Sequence, residues 1–126
     1  MRIVFISMGV LLCVSCADGT PPVLIDVTEL PDTTDSVGPY TVTAVARDDR
    51  GIASVTLYYT ADQRPDPAFK AIEMTSVDGD LYAGEIAGFP EGAEVRYFVE
   101  AGDTSANHTR APVETDRYYW FSVVAR

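Results

Sequence analysis

The stretch Glu94–Ala101 constrains this chain more than any other. Val95, Tyr97, Val99 and Ala101 alternate with Glu94, Arg96, Phe98 and Glu100. A period of two puts one set on each face of an extended strand, whereas a helix would scatter both sets around its surface. Tyr40–Arg47 repeats the pattern, with Val42, Ala44 and Ala46 on one face and Thr41, Thr43, Val45 and Arg47 on the other. Ser54–Thr60 does so again through Val55, Leu57 and Tyr59. Composition agrees. Beyond residue 16, Val, Ile, Thr and the aromatics outnumber Leu plus Met by roughly eight to one, a balance that suits a pleated surface.

The remaining strands follow from the punctuation. Eight prolines and nine glycines divide the chain at short intervals, and Asp-Gly turns join alternating runs. The pattern predicts strands over Val23–Thr28, Tyr40–Arg47, Ser54–Thr60, Phe69–Met74, Leu81–Ala87, Glu94–Ala101 and Arg117–Val124. Asp48-Asp49-Arg50-Gly51 and Asp78-Gly79-Asp80 read as tight turns, and the span from Gly102 to Asp116 as a polar loop. About seven short strands with regular turns imply an all-β, antiparallel sandwich. Residues 23–126 form that single domain, since the chain is too short for two.

The first residues are a separate matter. Arg2 precedes an almost unbroken apolar run from Ile3 to Val14, and small or polar residues follow at once. A span across a bilayer needs about 20 apolar residues, so the run is too short for one and has the layout of an export signal over residues 1–15. The end of this run, Cys13-Val14-Ser15-Cys16, resembles the lipoprotein box of bacteria. The resemblance implies that Cys16 is lipidated and anchors the chain in a membrane. With Ala17 rather than Asp after the cysteine, it implies the outer membrane where there are two. Ser15-Cys16-Ala17 also satisfies the small-x-small rule for ordinary secretion, so a soluble secreted product is the alternative. Residues 16–22 form a short linker that would hold the domain close to the membrane. With Cys16 lipidated and Cys13 removed, the domain has no disulfide, thiolate metal site or cysteine nucleophile.

Two further runs are familiar. Pro39-Tyr40-Thr41-Val42-Thr43-Ala44, followed by Asp48-Asp49-Arg50-Gly51-Ile52 and Val55-Thr56-Leu57-Tyr58-Tyr59, resembles bacterial immunoglobulin-like modules of fibronectin type III character. So does Tyr82-Ala83-Gly84-Glu85-Ile86 followed by Val95–Ala101. After that last strand the family runs to a Gly-Asn pair, where this chain has Ala106-Asn107. The resemblance extends from Pro21 to Val124 and implies an architecture rather than an activity. Modules of this type accompany secreted hydrolases or repeat on cell surfaces.

Charge narrows the partners. The chain carries a net charge of −10, and loss of Arg2 with the leader makes it more negative still. Without a Lys/Arg stripe, nucleic acid is excluded as a partner. The acidity favours a soluble monomer.

No catalytic set emerges, and no cofactor is expected. His108 is the lone histidine and shares one predicted loop with Ser105 and Asp103. A triad needs its base oriented from separate rigid elements. Asp48, Asp49 and Asp103 are weak calcium candidates should their loops meet, although aspartate also serves such turns through backbone hydrogen bonds. The sharper candidates are aromatic. If Tyr119, Phe121 and Val123 face the core, then Tyr58, Phe98, Tyr118 and Trp120 face outward from neighbouring strands; the other register of the last strand would bury Trp120. Such a surface suits an envelope protein or a glycan. The expected role is therefore non-catalytic: adhesion, partner docking or scaffolding at the envelope. A carbohydrate-binding module and an orphan accessory domain of a modular hydrolase are the alternatives.

Overall fold

The computed structural model describes residues 20–126. Residues 1–15, expected to be an export signal, and Cys16, the expected lipidation site, lie outside the described residues. Nine strands follow in order: β1 (Val23–Ile25), β2 (Tyr40–Arg47), β3 (Ile52–Thr60), β4 (Lys70–Glu73), β5 (Thr75–Asp78), β6 (Leu81–Ile86), β7 (Glu94–Asp103), β8 (His108–Ala111) and β9 (Tyr119–Ser122). They form two antiparallel sheets packed as a sandwich, with no helix among the described residues. The smaller sheet runs β1-β2-β6-β5. The larger runs β4-β3-β7-β8, and β9 pairs with β7.

The alternation in β2, β3 and β7 becomes burial. Val42, Ala44, Ala46, Val55, Leu57, Tyr59, Val95, Tyr97, Val99 and Ala101 all lie in the core, closed at one end by Tyr40, Ile86, Phe121 and Val123. Apolar burial is what drives the two sheets together. Of the three buried tyrosines among the described residues, two anchor their polar tips on backbone groups of the β1–β2 connection. The Tyr97 hydroxyl donates to the Thr28 carbonyl (2.7 Å) and accepts from the Leu30 amide (2.8 Å). The Tyr40 hydroxyl donates to the Asp35 carbonyl (2.6 Å). Each ties the β1–β2 connection to the sandwich.

The strand count exceeds the expected seven for two physical reasons. The run after Phe69 does not stop at Met74. It changes sheets there: β4 pairs with β3, β5 pairs with β6, and Met74 between them drops its side chain into the core. Gly84 on β6 makes the room, since a Cβ there would stand 2.9 Å from Met74 Cγ. The polar span from Gly102 to Asp116 was expected to be loop, yet it contains β8. The free edge of β7 is covered in two pieces, by β9 along Glu94–Tyr97 and by β8 along Val99–Gly102. In the opposite direction, the first strand is shorter than expected. Asp26 adopts a left-handed backbone (φ 53°) that ends β1, and Thr28 resumes contact through its amide, which donates to the Thr43 carbonyl.

The β7–β8 turn holds one strained residue. Ala106 sits at φ 68°, a region that costs an L-residue with a Cβ about 1–2 kcal/mol. Ala106→Gly is expected to raise stability by about 0.5–1 kcal/mol, glycine's greater unfolded entropy offsetting part of the relief. A shift of the urea midpoint to higher concentration at unchanged slope checks it; an unchanged or lowered midpoint contradicts it.

Candidate binding face

The outer face of the larger sheet is set by register. Tyr58 on β3 stands opposite Phe98 on β7, Glu100 on β7 opposite Arg110 on β8, and Arg96 on β7 opposite Trp120 on β9. Paired residues point to the same side of a sheet, so all six share the face turned away from the core.

The rings are packed on one another. Tyr58 and Phe98 stack at 4.7 Å with an interplanar angle of 14°. The Arg110 guanidinium carbon lies 4.2 Å from the Phe98 ring centre, and β8 flanks β7 on the side away from β3. Phe98 is thus held between a ring and a cation. Phe69 meets Phe98 edge-on at 5.3 Å and stacks on Tyr118 at 5.3 Å. Such pairs stabilise by about 0.5–1.5 kcal/mol each beyond their buried area.

Two loops make this cluster possible. The β3–β4 loop, residues 61–69, crosses over the sheet to deliver Phe69. It is pinned by Gln63 Nε2 donating to the Glu94 carbonyl (2.8 Å) and by Arg96 donating to the Asp62 carbonyl. Within it, hydrogen bonds from the Arg64 guanidinium and amide bring the Asp62 carboxyl down to about 2. The β8–β9 loop, residues 112–118, delivers Tyr118. Arg110 holds that loop by donating to the carbonyls of Pro112 (2.8 Å), Glu114 and Arg117 (2.9 Å). Between the two loops an open cleft of about 500 Å³ remains. Tyr58, Phe98, Glu100 and Arg110 form its floor, with Pro65, Asp66, Pro67 and Thr115 among its walls.

Three of the four sequence-derived aromatics therefore converge: Tyr58, Phe98 and Tyr118. Trp120 shares the face and is 56% exposed, but it makes no ring contact with the cluster and flanks it beside Arg96. Phe69 and Arg110 are the members that sequence reasoning missed. Phe69 opens a predicted strand and gives no hint that its loop doubles back. Arg110 sits in a polar span, and its value arises only from standing beside β7.

The acidic candidates are placed differently. The Asp48–Gly51 turn and the β7–β8 turn do meet, through Thr104 Oγ1 donating to the Arg50 carbonyl (3.3 Å). Asp103 is turned into its own loop, where it accepts from the Ser105 amide (2.8 Å), the Asn107 amide (2.8 Å) and Asn107 Nδ2 (3.1 Å). Burial opposes its charge, but these donors prevail and hold its carboxyl below the ordinary value. Asp48 accepts from the Arg50 amide (3.1 Å), the turn role open to it from sequence. Among the described residues no group of three or more His, Cys, Asp or Glu side chains is arranged to hold a metal ion. His108 opens β8 rather than lying in a loop, and it is exposed opposite Gly102.

The chain matches no family model and no curated protein. The reading of this face therefore rests on its own geometry.

Proposed function

We propose that this chain is a non-catalytic binding domain of the bacterial cell envelope, tethered by lipid on Cys16 and docking a partner through the outer face of its larger sheet. The likeness of Cys13–Cys16 to a lipoprotein box and of the strand runs to bacterial immunoglobulin-like modules supports the setting. One observation carries the docking role. Two loops, residues 61–69 and 112–118, fold onto one sheet face and leave an aromatic cleft between them. Residues such as Tyr and Arg, held rigid by their neighbours, lose little freedom on binding, which favours affinity.

Carbohydrate binding is the second reading, favoured by the exposed Trp120 on the same face. Stacking on a sugar needs an open ring face. Here Phe98 has Tyr58 on one side and Arg110 on the other, and Phe69 covers Tyr118. Protein docking therefore leads.

Photocrosslinking in cells separates the readings. A photoreactive amino acid in place of Thr115, on the cleft wall, is expected to trap a discrete protein adduct. The same group in place of exposed Glu85 on the smaller sheet is expected to trap none. Adducts from both positions alike, or from Glu85 only, contradict docking at the cleft. Binding to a glycan array that is lost on Trp120→Ala transfers the role to sugars.

A further inference from the structure

We infer that the cleft takes a cationic, extended segment of a partner protein, seating a Lys or Arg side chain against the rings and the carboxylates of Asp66 and Glu100. The inference rests on the docking role proposed above and specifies the chemistry of the partner.

Charge comes first. Asp66 and Glu100 are the carboxylates lining the cleft. The ion pairs among the described residues are Arg47–Asp80 and Arg64–Asp62, so neither lining carboxylate is held in one, although Arg110 stands opposite Glu100 in register. Arg110 also lines the cleft, but both of its terminal nitrogens donate to carbonyls of the β8–β9 loop. Its donors are turned into the protein, whereas the two carboxylates have acceptor capacity left over. The net charge of −10 adds a field that draws cations and repels acidic partners.

The domain already seats a guanidinium of its own beside these rings. Arg110 lies over Phe98 at 4.2 Å and near Tyr118 at 5.3 Å, with carbonyl oxygens accepting from its edge. Arg96 lies 5.5 Å from the Tyr118 ring centre. Cations near aromatic faces gain about 0.5–2 kcal/mol, more as water is excluded. With the Phe98 faces taken by Tyr58 and Arg110, the rings of the cleft serve the aliphatic stem of the incoming side chain, and Asp66 and Glu100 take its charged head in place of carbonyls. The cleft's volume of about 500 Å³ and its open shape suit one or two side chains on an extended backbone, not a folded surface. Pro65 and Pro67 limit how far its wall can collapse inward.

Fluorescence anisotropy with labelled ten-residue peptides tests this on the purified chain. The probes are a Lys/Arg-rich peptide, an Asp/Glu-rich peptide and a Gly/Ser-rich peptide. The basic peptide is expected to bind and to weaken with added salt. Asp66→Asn combined with Glu100→Gln removes two exposed or half-exposed charges without changing shape and is expected to weaken binding about tenfold or more. Asp49→Asn combined with Asp78→Asn removes the same charge from two exposed positions, the turn after β2 and the end of β5, and is expected to leave binding within about twofold, since exposed charges beyond a Debye length are screened. Absence of basic-peptide binding overturns the inference. So does equal weakening by both double variants, which would indicate only the general field, and so does tighter binding of the acidic or neutral peptide. A discrete adduct at Thr115 without basic-peptide binding removes this inference and leaves docking standing. Absence of both removes docking as well.

Discussion

Tyr97→Phe will lower the unfolding free energy at pH 8 by about 2 kcal/mol, and the deficit will shrink as the pH rises past 10. The Tyr97 side chain is fully buried, and its hydroxyl links the Thr28 carbonyl to the Leu30 amide. Phenylalanine keeps the ring but strands both backbone groups, at about 1–3 kcal/mol for a buried pair. The pH dependence follows from the same burial. Desolvation pushes the Tyr97 hydroxyl up to about 12, against about 10 in the unfolded chain. Between those values the unfolded state loses the proton and the folded state keeps it. The folded state then binds more protons, so stability falls as pH rises through this window and is fully present below it. The loss is at most about 2.7 kcal/mol, and on the order of 1–2 kcal/mol once solvent screening near the hydroxyl is allowed for. The variant lacks the group and so lacks this part of the slope. Guanidinium unfolding at half-unit steps from pH 8 to 11.5 measures both effects. Parallel stability curves for the two proteins would refute the assignment.

The second large effect is expected at Gly88→Ala. Gly88 follows β6 and packs against the backbone of Val37 and Gly38. A Cβ on it would stand 2.1 Å from the Val37 carbonyl oxygen and 2.4 Å from its carbon. Main chain cannot rotate aside as a long side chain can, so the β1–β2 connection must move. That connection carries Asp35, whose carbonyl holds the Tyr40 hydroxyl and whose Oδ1 accepts from the amides of Val37 (2.9 Å) and Gly38 (3.1 Å). A loss of about 3 kcal/mol is expected, the upper end for overpacking, or roughly 15 °C in melting temperature for a domain of this size. Gly92→Ala is the control. Gly92 has φ 95° but open space around its Cβ position, so only the backbone strain of about 1 kcal/mol applies. Gly88 itself is not in the left-handed region, so equal losses at the two positions would show that the Val37 connection moves aside easily and that the contact does not set a large cost at Gly88.

How much could be read beforehand depended on whether one strand carried its own signal. Tyr40–Arg47, Ser54–Thr60 and Glu94–Ala101 were legible because each buries one face, so alternation within the strand suffices. The last strand carried no such signal: Arg117–Val124 permits either register, and the pairing with β7 is what buries Phe121 and exposes Trp120. β5 and β8 were not legible, since their residues are mostly polar and half or fully exposed. These strands exist because β6 and β7 present edges with unpaired backbone groups, and any adjacent chain can satisfy them. The candidate face divides along the same line. Tyr58 and Phe98 belong to strands with a readable register, and Trp120 joins them only through the pairing of β9 with β7. Phe69 and Arg110 reach the face from a loop that doubles back and from an edge strand.

From the sequence by itself came the all-β class, the two-sidedness of the central strands and hence that Tyr58 and Phe98 leave the core. These are local consequences of a two-residue period. Tertiary structure alone decided that the chain changes sheets at Met74 and that two loops roof one face. It also decided that Phe98 lies between Tyr58 and a guanidinium. Each depends on contacts between segments far apart in the chain. Pairing energy and the room left by Gly84 select those contacts, and no pattern within a single segment records them.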